Sequence, residues 1–175
     1  MNSLLALSRS TSVSHPSATS GYGTAALALA ASWLVLCAPW LFGDVSIPYD
    51  AKAHFQAQVQ FLANAIHSGQ SPFWNPHIFA GSPQIADPQS LVLSPAVLIA
   101  LIDPTPSFRL VDGFTFALLA MGGYAILLLF RDRGWHPAGA IVAALGFAFG
   151  ASAAWRVQHI GQIQSVSSHR ASMKQ

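Results

Sequence analysis

The side chains able to do chemistry gather in one soluble-looking loop between apolar runs, residues 44–90. Asp44, Tyr49, Asp50, Lys52 and His54 stand near its start, and Pro72-Phe73-Trp74-Asn75-Pro76-His77 fills its middle. It closes with Gly81-Ser82-Pro83 and Ala86-Asp87-Pro88-Gln89-Ser90. The chain has no Glu, so carboxylate chemistry rests on Asp alone. A carboxylate within hydrogen-bond reach of a hydroxyl can take its proton. Each candidate also has a plainer reading. Asp50 precedes a helical pattern, where Asp commonly caps free N–H groups, and by residue type alone capping is the stronger reading. Asp44 reads as an interfacial charge ending an apolar run. Asp87, between Ala86 and Pro88, suits a turn. His54, His67 and His77 lack a metal-ligand spacing. The lone Cys37 rules out an intramolecular disulfide and argues against a Cys-based metal site.

The elements that must position these residues belong to a lipid-compatible chain. Of its 175 residues, 53% are hydrophobic and only 8% charged, and the mean hydropathy is +0.46. Soluble domains carry about 25% charged residues, so the composition points to an integral membrane protein. Lys, Arg, Asp and Glu are absent between Arg9 and Asp44, between Asp112 and Arg131, and between Arg133 and Arg156. A span needs roughly 20 apolar residues, which predicts spans over about 24–42, 111–130 and 137–155. The net charge of +2, with no basic run, gives no support to nucleic-acid binding.

Residues 1–23 read as a flexible, Ser- and Thr-rich leader. The first apolar run reads as an uncleaved anchor, because no small-x-small site follows it. Leu34-Val35-Leu36-Cys37 faintly suggests a lipoprotein signal, but Leu36 stands where a small residue is needed. An external loop, 44–110, follows. Phe55, Val59, Leu62 and Ile66 make an apolar stripe with Gln56, Gln60, Asn64 and His67 on other faces, which predicts an amphipathic helix on the membrane surface over 51–68. Gly69 is its stop signal. The prolines of 71–90 predict turns. Residues 91–102 are apolar but too short to span, and read as a second juxtamembrane helix. Pro137 suits a helix start. Gly146-x-x-x-Gly150 predicts a small-residue face for close helix approach. The basic turn at Arg131-Asp132-Arg133 suggests the cytoplasmic side, which puts the leader inside and the loop outside. Arg156, Arg170 and Lys174 would then lie outside, against the usual bias.

Taken together, several loop elements resemble the YfhO-like family of bacterial membrane proteins, within the GT-C glycosyltransferase superfamily. They are Tyr49-Asp50 after a first span, the amphipathic helix, Gly69-Gln70-Ser71-Pro72-Phe73-Trp74-Asn75-Pro76, Gly81-Ser82-Pro83 and Asp87-Pro88-Gln89. The resemblance covers roughly residues 24–165. It implies an all-α membrane protein of the bacterial inner membrane, the N-terminal part of a GT-C-like fold. About three transmembrane helices would carry a large external loop with one or two juxtamembrane helices. Similar proteins continue into more spans, so the polar tail, 156–175, is expected to be the aberrant end of a shortened product. Its partners would be the bilayer, a lipid-linked sugar, and the remaining C-terminal part or another membrane subunit.

The resemblance also implies a reaction: sugar transfer from a polyprenyl-phosphate donor to a cell-envelope acceptor on the outer face. Asp50 matches the family's acidic active-site residue by position, which turns its reading from cap to base, with Asp44 as second candidate. Lys52, His54, Arg156 and His159 are expected to converge on the donor phosphate. Trp74 is placed to stack on a sugar, although interfacial anchoring is the plainer role for Trp. Asp87 is placed to touch substrate or a divalent metal. No cofactor is specified by these residues. The alternative is a non-catalytic accessory or structural membrane protein.

Overall fold

A computed structural model describes residues 21–87, 89–151 and 159. They fold mainly into helices. Two of these are long and apolar enough to cross a membrane: α1 (Tyr22–Phe42, 21 residues) and α4 (Phe108–Asp132, 25 residues). α1 begins two residues before the expected boundary, so Tyr22 and Gly23 belong to the helix rather than the leader. Its Ala- and Leu-rich sequence favours the helix, and it carries no charge. Leu27, Val35 and Phe42 stand exposed along it. Pro39 sits in the last turn, where the Pro39 carbonyl accepts the Gly43 N–H at 3.1 Å.

α4 starts on a conventional cap: the Ser107 hydroxyl accepts the Leu110 N–H at 3.2 Å. It ends where the Phe130 carbonyl accepts the Trp135 N–H at 2.9 Å and the Arg131 carbonyl accepts the Gly134 N–H at 3.0 Å. α5 (Pro137–Phe149) follows at once, with Pro137 in its first turn and His136 Nδ1 accepting the Ala138 N–H. Its 13 residues make about 20 Å of helix, which is short of a span. The rest of the expected third span, past residue 151, lies outside the described residues.

The three helices pack as α1 with α4, α4 with α5, and α1 with α5. The interface is built from alanines rather than from the expected Gly146 face. Ala140, Ala144 and Ala148, one turn apart, are buried. Gly122 on α4 lies so close to α5 that a Cβ there would come within 2.5 Å of Phe147 Cε1, whereas Gly146 faces open space and Gly150 caps the helix end. The Trp33 indole N–H donates across the bundle to the Phe116 carbonyl at 3.1 Å. At the end where α1 begins, the Tyr22 hydroxyl donates to the Trp135 carbonyl.

The chain between α1 and α4 caps the opposite end. It holds one π-helical turn (Ala51–Phe55), α2 (Gln56–His67), a two-residue hairpin of β1 (Trp74–Asn75) and β2 (Ser82–Pro83), one 3₁₀ turn (Gln84–Ala86) and α3 (Val97–Ile102). The hairpin is antiparallel, with Trp74 opposite Pro83. α2 ends as its sequence predicts: Gly69 takes φ +70, a conformation that costs glycine little, and the Ala65 carbonyl accepts the Gln70 N–H at 2.8 Å. The expected helix over 91–102 is only half formed. Leu91 is left-handed, the Ser94 hydroxyl donates to its carbonyl, and helix begins only after Pro95.

α2 lies against α3 rather than on its own. Phe55, Val59 and Leu62 are buried along the expected stripe, each contributing about 1.5–3 kcal/mol. The polar face also has work to do. Gln56 Nε2 donates to the Pro106 carbonyl at 2.5 Å, Gln60 Nε2 donates to that of Pro104 at 3.0 Å, and His67 Nε2 meets that of Ala100 at 3.0 Å. The return segment is thereby fastened to α2. One apolar core joins cap and bundle through Cys37, Ile47, Phe55, Val111, Phe116 and Ala148.

Candidate functional site

The site begins where the chain leaves α1. Ile47 is buried, and its N–H donates to Asp112 Oδ2 at 2.9 Å. Pro48 follows, then Tyr49 at φ +56. A left-handed residue with a Cβ costs about 1–2 kcal/mol, so surrounding contacts must hold it. The Tyr49 carbonyl accepts two N–H groups, from Lys52 and Ala53, both at 3.0 Å. The next turn is widened, with the Ala51 carbonyl accepting the Gln56 N–H. Such π turns are rare and often sit at functional sites. Here the turn buries Ala51 and Phe55 while Lys52 stays exposed.

Asp50 does not act as a helix cap. Its backbone is already helical and its side chain accepts no capping bond. The carboxylate is 55% exposed, and Oδ2 lies 3.4 Å from His159 Nδ1. His159 meets the Phe55 ring edge-on at 6.5 Å, and Phe55 meets His54 in the same way at 5.0 Å. His54 Nε2 is buried without a hydrogen-bond partner among the described residues. Lys52 Nζ lies 5.4 Å above the Phe108 ring and interacts electrostatically with Asp112. Of the expected residues, His159 contacts Asp50, while Lys52 and His54 share its turn, with Lys52 over Phe108 and His54 against Phe55. Arg156 lies outside the described residues.

The other expected residues belong elsewhere. Asp44 is fully exposed and pairs with Arg109 at 3.4 Å, and the Arg109 guanidinium also donates to the Gly43 carbonyl. Trp74 is half exposed in the hairpin with its ring across Gly81, where a Cβ would sit 2.5 Å from Cζ2. Asp87 Oδ1 accepts the Gln89 N–H at 2.8 Å, closing a local turn. Among the described residues no three His, Cys, Asp or Glu side chains gather to hold a metal ion.

Two residues escape the sequence reading. Asp112 stands at the start of a span and reads as a helix-end charge, yet it is only 4% exposed. A signal was present: Asp112, Thr115, Phe116 and Leu119 share one helical stripe, and all are buried. The second is Gln84, fully buried with neither amide atom hydrogen-bonded among the described residues. Nothing in the local sequence marks it.

A half-open cavity of about 210 Å³ lies between Leu29 and Trp33 of α1, Leu119 and Gly123 of α4, and Ala148 near the end of α5. Its wall is apolar, and Asp50 is not part of it. No protein-family model, curated protein or solved structure matches this chain.

Proposed function

We propose that the chain is a multi-pass protein of the bacterial inner membrane, the N-terminal part of a YfhO-like, GT-C-type glycosyltransferase. In this reading α1, α4 and α5 enter the bilayer and the cap faces outward. The two long apolar helices support the membrane assignment, and the loop motifs support the family. The observation that carries the catalytic reading is the state of Asp50. It caps no helix, it is half open to solvent, and it follows a left-handed Tyr49 beside a π turn.

The chemistry is inverting transfer. An acceptor hydroxyl attacks the anomeric carbon of a polyprenyl-phosphate sugar while Asp50 takes its proton. The bond from the anomeric carbon to the carrier oxygen breaks, and the phosphate leaves with the electron pair. Lys52 and His54, on the same turn, would meet the phosphate charge. His159 orients the carboxylate.

The test is transfer of radiolabelled sugar from a polyprenyl-phosphate donor in membranes holding the protein with its partner spans. Asp50→Asn should lower the rate about 10²–10⁴-fold with membrane insertion unchanged. Unchanged transfer would remove Asp50 as the base. That outcome would favour the second reading, an accessory membrane protein, which the separation of the apolar cavity between α1, α4 and α5 from Asp50 also favours.

A further inference from the structure

We propose that Asp112 is a positioning residue for Asp50, acting through the Ile47 N–H. This rests on the reading of Asp50 as the base. Asp112 stands one turn inside α4, buried, on the stripe that packs the helix into the core. Its only hydrogen bond among the described residues is the 2.9 Å contact from Ile47, which lies 65 positions earlier in the chain. A buried carboxylate is costly to keep unless it is paired; Asp112 has the Ile47 N–H and the Lys52 charge, and the Ile47 bond is the one that constrains backbone.

What it fixes is the run Ile47-Pro48-Tyr49-Asp50. Pro48 stiffens the next link. Tyr49 then adopts a left-handed backbone, and the chain turns directly into the π turn. The anchored N–H is three residues from Asp50, too short a tether for independent movement. Because α4 belongs to the bundle, Asp112 ties the height and direction of Asp50 to a rigid helix rather than to the loop. Asn at this position retains an oxygen to accept the Ile47 N–H, whereas Leu retains only the volume.

The full chain in lipid nanodiscs is treated with a water-soluble carbodiimide and glycinamide, and modification of each Asp is followed by mass spectrometry. Asp112→Leu should raise the modification rate of Asp50 about tenfold, the loss expected when a hydrogen bond to a charged group no longer holds the segment against His159. Asp103, held in its own turn by the Thr105 N–H, and Asp132, at the far end of α4, should keep their rates, which separates a local shift from general loosening. Asp112→Asn should restore Asp50 to within about twofold of the parent, as the retained acceptor requires. An unchanged Asp50 rate in Asp112→Leu would overturn the proposal. So would equal behaviour of the Leu and Asn variants, or acceleration at all three carboxylates together. The readout needs no sugar transfer, so it stands or fails separately from the Asp50→Asn activity test.

Discussion

Replacing Gln84 with Met should make the protein more stable. Gln84 is fully buried at the start of a 3₁₀ turn beside the hairpin. Its backbone is satisfied: its N–H donates to the Phe73 carbonyl at 2.8 Å, and its carbonyl accepts the Asp87 N–H at 3.2 Å. Its side-chain amide is not, since neither Oε1 nor Nε2 has a partner among the described residues. The neighbouring buried polar residues differ. Asn75 Oδ1 accepts the His77 N–H at 2.9 Å, and the Ser90 hydroxyl accepts the Val92 N–H at 3.5 Å. Burying an unpaired amide costs about 1–3 kcal/mol in protein contexts. Met has nearly the same length and shape, and fitting it costs under about 1.5 kcal/mol. The net gain centres on about 1 kcal/mol. At about 2–4 °C per kcal/mol for a chain of this size, the melting midpoint should rise roughly 2–4 °C. The assay is thermal unfolding of the full chain in detergent, followed by circular dichroism and by tryptophan fluorescence. Gln84→Glu, which buries a charge in the same space, should lower the midpoint. A midpoint that falls in Gln84→Met would refute the reasoning, because the amide would then be making bonds worth more than its burial costs.

Gly122→Ala should destabilise by about 1–3 kcal/mol, since the new methyl meets Phe147 at 2.5 Å. Phe147→Leu in the same chain should recover most of the loss, and melting of the single and double variants checks both. Asp44→Asn should leave the melting midpoint and any Asp50-dependent sugar transfer unchanged, because its carboxylate and Arg109 pair in solvent. A measurable fall in transfer would bring Asp44 back as a catalytic candidate.

The frame of this fold is legible because charge is scarce. The predicted spans over 24–42 and 111–130 lie within a few residues of α1 and α4 at either end, and Pro137 and Gly69 mark a start and a stop by local chemistry. What escapes the sequence depends on partners far along the chain. Gly146-x-x-x-Gly150 has the right spacing for a helix contact, yet Gly146 points away, and rotation about the α5 axis instead brings the alanines to α4. Asp50 has the residue type of a cap, but its backbone is already helical after the left-handed Tyr49 and its side chain accepts no capping bond. Asp112 looks like an end charge until Ile47, 65 residues earlier, is folded against it. The cap helix is read correctly as amphipathic, but its glutamines look solvent-facing because Pro104 and Pro106, their acceptors, are remote in sequence.

The Ile47–Asp112 bond has a consequence for the lipid. In the membrane reading, α4 is about 37 Å long and α1 about 31 Å, against roughly 30 Å of hydrocarbon. The charge-free part of α4, residues 113–130, makes only about 27 Å of helix, so mismatch is met by shifts of the flanking charged residues and of local bilayer thickness. Asp112 rides at the outer end of that stretch, so such a shift is delivered directly to the segment that carries Asp50. The same protein in bilayers of different acyl-chain length would present that carboxylate at different depths beneath the headgroups. Membrane thickness then becomes a setting on the site.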